Sequence, residues 1–195
     1  MADTQVISDV QRLAESLGQL PEPAVKPALV VVSGLPGTGK SHFCKKLAER
    51  LPLIILESDT LRKIIFPTPA YSLQESSRLF QSIHHLIERL LKKGISLILD
   101  ATNLSERNRE RLYNIADRSN AKLILVRVEA PPDIVYQRLQ ARSERKSPEN
   151  SSEADWTVFQ KMKPTVEKIR RNHFAVDTSR DITSVLDKIV REANR

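Results

Sequence analysis

The chain has 195 residues, 40% of them apolar and only 5% aromatic, which suits one α/β domain, or one domain with a short appendage, whose core rests on Leu, Ile and Val. A single cysteine, Cys44, excludes an intramolecular disulfide and leaves a zinc cluster without thiolate partners. The formal charge of +7 points to phosphate-bearing partners, and no signal-peptide pattern or apolar run of about 20 residues stands out, so a cytoplasmic protein without a membrane segment is expected.

In chain order, Val6–Leu20 reads as an amphipathic helix and Pro21-Glu22-Pro23-Ala24-Val25-Lys26-Pro27 as an extended tether. Residues 1–27 are therefore expected to form an appendage, packed or mobile, ahead of a domain at 28–195. Apolar, β-branched runs at Ala28–Val32, Leu53–Glu57, Ile95–Asp100, Lys122–Val128 and, more weakly, Phe174–Val176 predict five strands. The runs are nearly continuous rather than alternating, the mark of strands covered on both faces of a parallel sheet. Helical spacing lies between them. Ser41–Leu51 stops before Pro52, Ser72–Lys93 is closed by Gly94, and Ser105–Arg118 begins with a Ser cap. Pro132–Arg145, Glu153–Arg170 and Ile182–Glu192 are further predicted helices. The expected fold is a three-layer α/β/α arrangement with a five-stranded parallel sheet and right-handed crossovers.

Gly34-Leu35-Pro36-Gly37-Thr38-Gly39-Lys40-Ser41 matches G-x-x-x-x-G-K-[ST] between a predicted strand and a predicted helix. Successive backbone N–H groups in such a loop cradle phosphates, and glycine supplies the backbone angles the cradle needs. Lys40 is expected to reach the terminal phosphates of ATP and Ser41 to hold Mg²⁺. The helix that follows points its positive end at the same anion.

Ligands of open parallel sheets bind beyond the carboxyl ends of the strands, which directs attention to three more segments. After the second strand, Asp59 and Arg62 stand three apart and share a face if a helix begins there. A carboxylate to take a hydroxyl proton and a cation to hold an acidic acceptor are what transfer to an alcohol requires; a helix cap beside a solvated arginine is the plainer reading. Asp100 ends the third strand near Ser41, in the position of an acid that binds Mg²⁺ directly or through water. Thr102 or Asn103, just beyond it, are candidates to donate to an acceptor. After the fourth strand, Arg138, Arg142 and Arg145 follow at helical spacing and are expected to form an arginine-bearing lid over the nucleotide, with stacking of Arg138 or Arg142 on the base as the alternative. The basic runs at Arg138–Lys146 and Lys161–Arg171 can equally be solvated helix faces.

Asp177-Thr178-Ser179 follows the last strand, where such loops lie near the nucleotide base, so Thr178 is a candidate nucleotide contact. His84 and His85 lack neighbours at ligand spacing, and one of them could line an acceptor pocket. Trp156, Phe159 and Met162 read as a core stripe, and Cys44 as a small core residue.

Together, Gly34–Ser41, Asp59-x-x-Arg62, Asp100-Ala101-Thr102-Asn103 and the Arg138/Arg142/Arg145 segment resemble the P-loop kinases of the AAA-33, or predicted-kinase, branch. They are similar to 5′-polynucleotide kinases, zeta toxins and chloramphenicol phosphotransferases, over about residues 28–192. The resemblance implies a P-loop NTPase fold, ATP and Mg²⁺ as cofactors, phosphate handling by Lys40 and Ser41, Asp59 as general base and Arg62 on the acceptor. In polynucleotide kinases the arginine of Asp-x-x-Arg grips the acceptor's 3′-phosphate. This chain carries no phosphatase or ligase domain, and kinases of this arrangement accept unrelated alcohols. The expected function is transfer of the γ-phosphoryl of ATP to a polynucleotide 5′-hydroxyl or a small-molecule alcohol. The alternative is a nucleotide-binding regulatory or interaction module with little turnover.

Overall fold

The structure is a computed structural model that describes residues 2–144 and 154–195. A parallel sheet of five strands runs in the order β2-β3-β1-β4-β5, with β1 at Ala28–Ser33, β2 at Ile54–Glu57, β3 at Leu97–Asp100, β4 at Lys122–Glu129 and β5 at Phe174–Asp177. The five predicted strands are all present. β1 sits in the centre and every one of its residues is buried, which is why its apolar run is unbroken.

Alternation along the strands sorts the core onto two faces. Leu29 and Val31 of β1, Leu97 and Leu99 of β3 and Leu125 of β4 point to one face. There they meet α3 (Ser58–Ile65), α4 (Leu73–Lys92) and α5 (Glu106–Arg118). Val30 and Val32, Ile98, and Ile124, Val126 and Val128 point to the other, against α2 (Lys40–Ala48) and α8 (Thr183–Ala193). A smaller cluster of Val135, Leu139 and Phe159, with Leu35 and Trp156 packed against it, joins α6 (Pro132–Glu144) and α7 (Trp156–Met162) to the loop after β1.

The N-terminal helix α1 spans Ala2–Ser16, so it starts and ends earlier than its amphipathic pattern suggested. It packs: Val6, Val10 and Leu13 are buried in the same cluster as α3 and α4. The helix expected over Glu153–Arg170 is a correction. Of it, only α7 is α-helical within the described residues, followed by a 3₁₀ turn at Lys163–Thr165 and by irregular chain at 166–173. Pro164 has no N–H to donate, and the Asp155 side chain starts a fresh helix by accepting from Val158 N at 2.9 Å. Among the described residues no helix is long and apolar enough to cross a membrane.

Candidate active site

The parallel register brings three strand ends together. Val32 pairs with Asp100, and Glu57 pairs with Asp100 on the other side, so the segments after β1, β2 and β3 open into one space. That space is a cavity of about 680 Å³. Pro36, Gly37, Gly39, Lys40 and Ser41 form its phosphate-loop wall, and Asp59 and Arg62 of α3 face them. Asp100, Ala101 and Thr102 form the floor, and Arg138, Arg142, Val158 and Met162 come from the α6–α7 side.

The loop holds its shape through close backbone approach. A Cβ on Gly34 would meet the Val128 carbonyl oxygen at 2.4 Å, so only glycine lets the loop leave β1 against β4. Gly39 has φ +88°, and a Cβ there would meet Thr178 Oγ1 at 2.9 Å. Thr38 Oγ1 donates to Leu35 O at 2.7 Å, and Lys40 Nζ donates to the same carbonyl at 3.0 Å. Gly39 then precedes α2, whose first N–H groups point into the cavity's anion site.

Charge in the cavity is concentrated and partly buried. Burial pulls the Lys40 ammonium below its ordinary value, an effect opposed chiefly by the carboxylate of Asp100 and also by that of Asp59. Burial pushes the Asp100 carboxyl up, while the Ser41 hydroxyl and Lys40 draw it down. Burial also lowers Arg142, against the attraction of Asp59. Asp59 therefore lies within electrostatic reach of Lys40, Asp100 and Arg142 at once.

Arg62 is only 6% exposed. Its Nη2 donates to Ser76 Oγ at 3.3 Å, its guanidinium lies 4.9 Å from the centre of the Tyr71 ring, and Glu75 stands 3.9 Å from Nη1. Among the described residues, Nε and Nη1 have no hydrogen-bond acceptor. A buried guanidinium that lines a cavity with donors left unmatched favours an anionic ligand beside it.

The AAA domain family model (AAA_33) matches residues 29–169. The chain belongs to this family. Among relatives of this AAA domain, the L-seryl-tRNA(Sec) kinase of Methanococcus maripaludis is 33% identical over 122 residues, 60% of this chain and 47% of that protein. The chain thus spans about half the length of that relative. The structure of Chaetomium thermophilum Kti12 in complex with ADP-AlF3 superposes with a TM-score of 0.69 at 20% identity, covering 85% of this chain and 98% of that one. The Mycobacterium tuberculosis APS kinase in complex with AMPPNP and APS superposes with a TM-score of 0.67 at 14% identity, covering 89% and 100%. These likenesses place the AAA domain on the α/β P-loop kinase fold.

Within this AAA domain, Asp100 Oδ2 is buried and has no hydrogen-bond partner among the described residues. An orphaned carboxylate oxygen beside the Ser41 hydroxyl fits a hard cation that takes its other ligands from phosphate and water. Ser41 and Asp100 are thus the residues that would hold Mg²⁺.

The predicted site residues divide into those that line the cavity and those that support it. Lys40, Ser41, Asp59, Arg62, Asp100, Thr102, Arg138 and Arg142 line it, whereas Gly34, Leu35, Thr38 and Thr178 are not among the lining residues. Thr178 Oγ1 donates to Thr38 O at 2.6 Å and accepts from Arg138 Nη1 at 2.8 Å, which ties the last strand's loop to the phosphate loop. Arg138 Nη2 donates to Thr178 O as well, at 2.9 Å. Arg142 donates to Ala154 O. Arg145 lies outside the described residues.

Asn103 is a correction. Its Nδ2 donates to Val32 O at 2.7 Å, its own carbonyl accepts from Ser33 Oγ, and it is buried at φ +45°, so it stitches β3 to β1 and offers nothing to an acceptor. Neither His84 nor His85 lines the cavity; from α4 the lining residue is Phe80. Of the expected core stripe, Phe159 is buried and stacks on Trp156 with ring centres 4.7 Å apart, while Met162 turns to the cavity. Sequence reasoning missed Tyr71, Phe80, Val158 and the Ser76 and Glu75 partners of Arg62. Phe80 continues the apolar stripe of α4, and spacing does not separate a stripe residue that meets the core from one that meets a cavity.

Proposed function

We propose that this AAA domain is an ATP-dependent phosphotransferase whose acceptor is an alcohol that also carries an anionic group. The observation that carries the reading is Arg62. It is a buried cation that lines the same cavity as Asp59 and Lys40, and its Nε and Nη1 find no hydrogen-bond acceptor among the described residues. A neutral hydroxyl accepts from a guanidinium but does not balance its charge, whereas an anionic group on the acceptor does both.

The residues divide the work. The loop amides and Lys40 hold the nucleotide phosphates, and the partial burial that lowers Lys40 strengthens its attraction for them. Ser41 and Asp100 would hold Mg²⁺, which would neutralise charge on the phosphate oxygens. Arg62 fixes the acceptor through its anion, which orients the hydroxyl toward Asp59. Asp59 takes the hydroxyl proton as the acceptor oxygen bonds to the γ-phosphorus and the bond to the β-bridging oxygen breaks, releasing ADP. Arg142, drawn by Asp59 and facing the same space, stabilises charge on the phosphoryl oxygens as it transfers.

A polynucleotide 5′-hydroxyl flanked by a 3′-phosphate meets this description. The charge of +7, and a relative named for a kinase acting on seryl-tRNA, support it over a neutral metabolite. The test is incubation with γ-labelled ATP, Mg²⁺ and a panel of 5′-hydroxyl oligonucleotides with and without 3′-phosphate, nucleosides and neutral polyols. Label is expected on the 3′-phosphorylated acceptors and is lost when Arg62 is replaced by Gln. Equal labelling of neutral polyols, or labelling indifferent to Arg62→Gln, overturns the reading.

A further inference from the structure

We propose that α1 is a brace for the acceptor side of the cavity, and that Arg12 and Asp9 are positioning residues for Asp59 and Arg62. The inference rests on the acceptor reading of those two residues. α1 grips both helices of the acceptor wall, each by a polar contact with a defined target. Arg12 Nη2 donates to Ile64 O, and Nη1 lies 3.5 Å from Ile65 O. These are the last carbonyls of α3, which have no onward helical N–H to receive, and a cation there also meets the negative end of the helix.

Asp9 is fully buried, at 0% exposure. Both its oxygens accept from Arg78 of α4, Nε at 2.5 Å and Nη2 at 2.8 Å. The Arg78 guanidinium in turn covers the ring of Phe66, the residue that ends α3, at 5.1 Å from its centre. Arg78 stands two and three residues beyond Ser76 and Glu75, the α4 residues that touch Arg62. The same short stretch of α4 thus meets α1 on one side and the acceptor arginine on the other.

α3 is only eight residues long, so its anchored end lies within about 12 Å of its first residue. Asp59 and Arg62 ride on that lever, and a shift of about 1 Å in a reacting group can cost a hundredfold in rate. The chain leading from α1 is itself tied down: Ala24 N donates to Gly94 O at 2.8 Å, and Lys122 N donates to Pro27 O at 2.8 Å. The helix that begins the nucleotide site, α2, belongs to the opposite face of the sheet and its own core cluster. A brace whose main contacts are with α3 and α4 should tune the acceptor half more than the nucleotide half.

The test uses the full chain with Arg12→Ala, Arg12→Lys and Asp9→Asn. Amide exchange of residues 58–66 is expected to rise about fivefold or more in Arg12→Ala, and to recover in Arg12→Lys, which keeps a cation at the end of α3. Asp9→Asn should loosen the same segment. Exchange across 40–48 and affinity for Mg²⁺–AMPPNP should stay within about twofold of the parent, since the polar contacts of Arg12 and Asp9 run to α3 and α4. With a 3′-phosphorylated 5′-hydroxyl oligonucleotide, KM for the acceptor should rise about tenfold in Arg12→Ala, with a smaller change in kcat. Unchanged exchange at 58–66, or loss of protection spread equally over 40–48 with weakened nucleotide binding, overturns the brace. If the parent labels no oligonucleotide, the proposed acceptor is wrong, and the exchange and nucleotide measurements decide the brace by themselves.

Discussion

Gly39 shows how a single residue holds the nucleotide site. It sits at φ +88°, and its missing side chain leaves room for Thr178, which is bonded to both Thr38 O and Arg138. Gly39→Ala strains the backbone and drives Thr178 off the loop together with its two partners. Affinity for Mg²⁺–AMPPNP, measured by titration calorimetry, should fall about tenfold or more. Asp59→Asn is the complementary change: it keeps a side chain of the same shape in the cavity but removes the proposed proton acceptor. Nucleotide affinity should hold while phosphoryl transfer drops by about two orders of magnitude or more. Near-normal transfer in that variant would reduce Asp59 to a helix-end residue. The phosphate loop was legible in the sequence because its spacing is a record of backbone geometry: where the glycines stand is where the chain must turn sharply. Arg62 was legible as a neighbour of Asp59, but its burial and unmatched donors depend on α4 arriving from later in the chain. Asn103 was misread for a related reason. A tetrapeptide after a strand does not reveal which way each side chain turns, and this one turns back to β1.

Among the elements, strands were the easiest to read, since burial on both faces writes itself into unbroken apolar runs such as that of β1. The return segment after α7 was the hardest. It has no period because its backbone is held by one buried side chain rather than by a helical ladder. Arg109 of α5, 1% exposed, donates to Glu167 O at 2.8 Å, to Lys168 O at 3.1 Å and to the Asn103 carbonyl, and pairs with Glu106 at 2.7 Å. Glu106 in turn accepts from Arg170 N, and its own N–H donates to Glu167 Oε2 at 2.6 Å. This clamp fixes where the chain carrying Val158 and Met162 leaves the cavity. Removing the cation leaves the buried Glu106 carboxylate without its counter-charge and takes the guanidinium donor from the carbonyls of Glu167, Lys168 and Asn103. Arg109→Ala should therefore cost about 3–5 kcal/mol in urea unfolding. Arg109→Lys, which restores charge but not the fork, should recover only part of that loss. A cost below about 1 kcal/mol for Arg109→Ala would show that the segment is held by its apolar contacts instead.

At the scale of the whole molecule, the sheet divides the helices: the phosphate loop opens onto α2 on one face, while α3 and α4, with α1 packed on them, lie on the other. The N-terminal helix was legible as amphipathic, but a lone amphipathic stripe does not name its partner, and the fold supplies one in α4. Because α4 is the longest helix and a shared floor for that face, a charge placed on it is felt by global stability. His84 lies half-buried on α4, where burial first, and then Arg111 and His85, push its pKa down to about 4 from 6.5. The folded protein thus holds His84 neutral in a range where the unfolded chain binds a proton. Stability from this residue is fully present above pH 6.5, and it drains away as pH falls toward 4, where both states become protonated. The gap of about 2.5 units corresponds to at most about 3 kcal/mol. Urea unfolding between pH 6.5 and 4 should therefore show the parent losing more stability than His84→Gln, which stays neutral throughout. The difference between the two proteins should open only below pH 6.5, since carboxylates titrate alike in both. Parallel curves across that window would mean that the imidazole meets solvent freely and that the acceptor face of the sheet opens more readily than its packing implies.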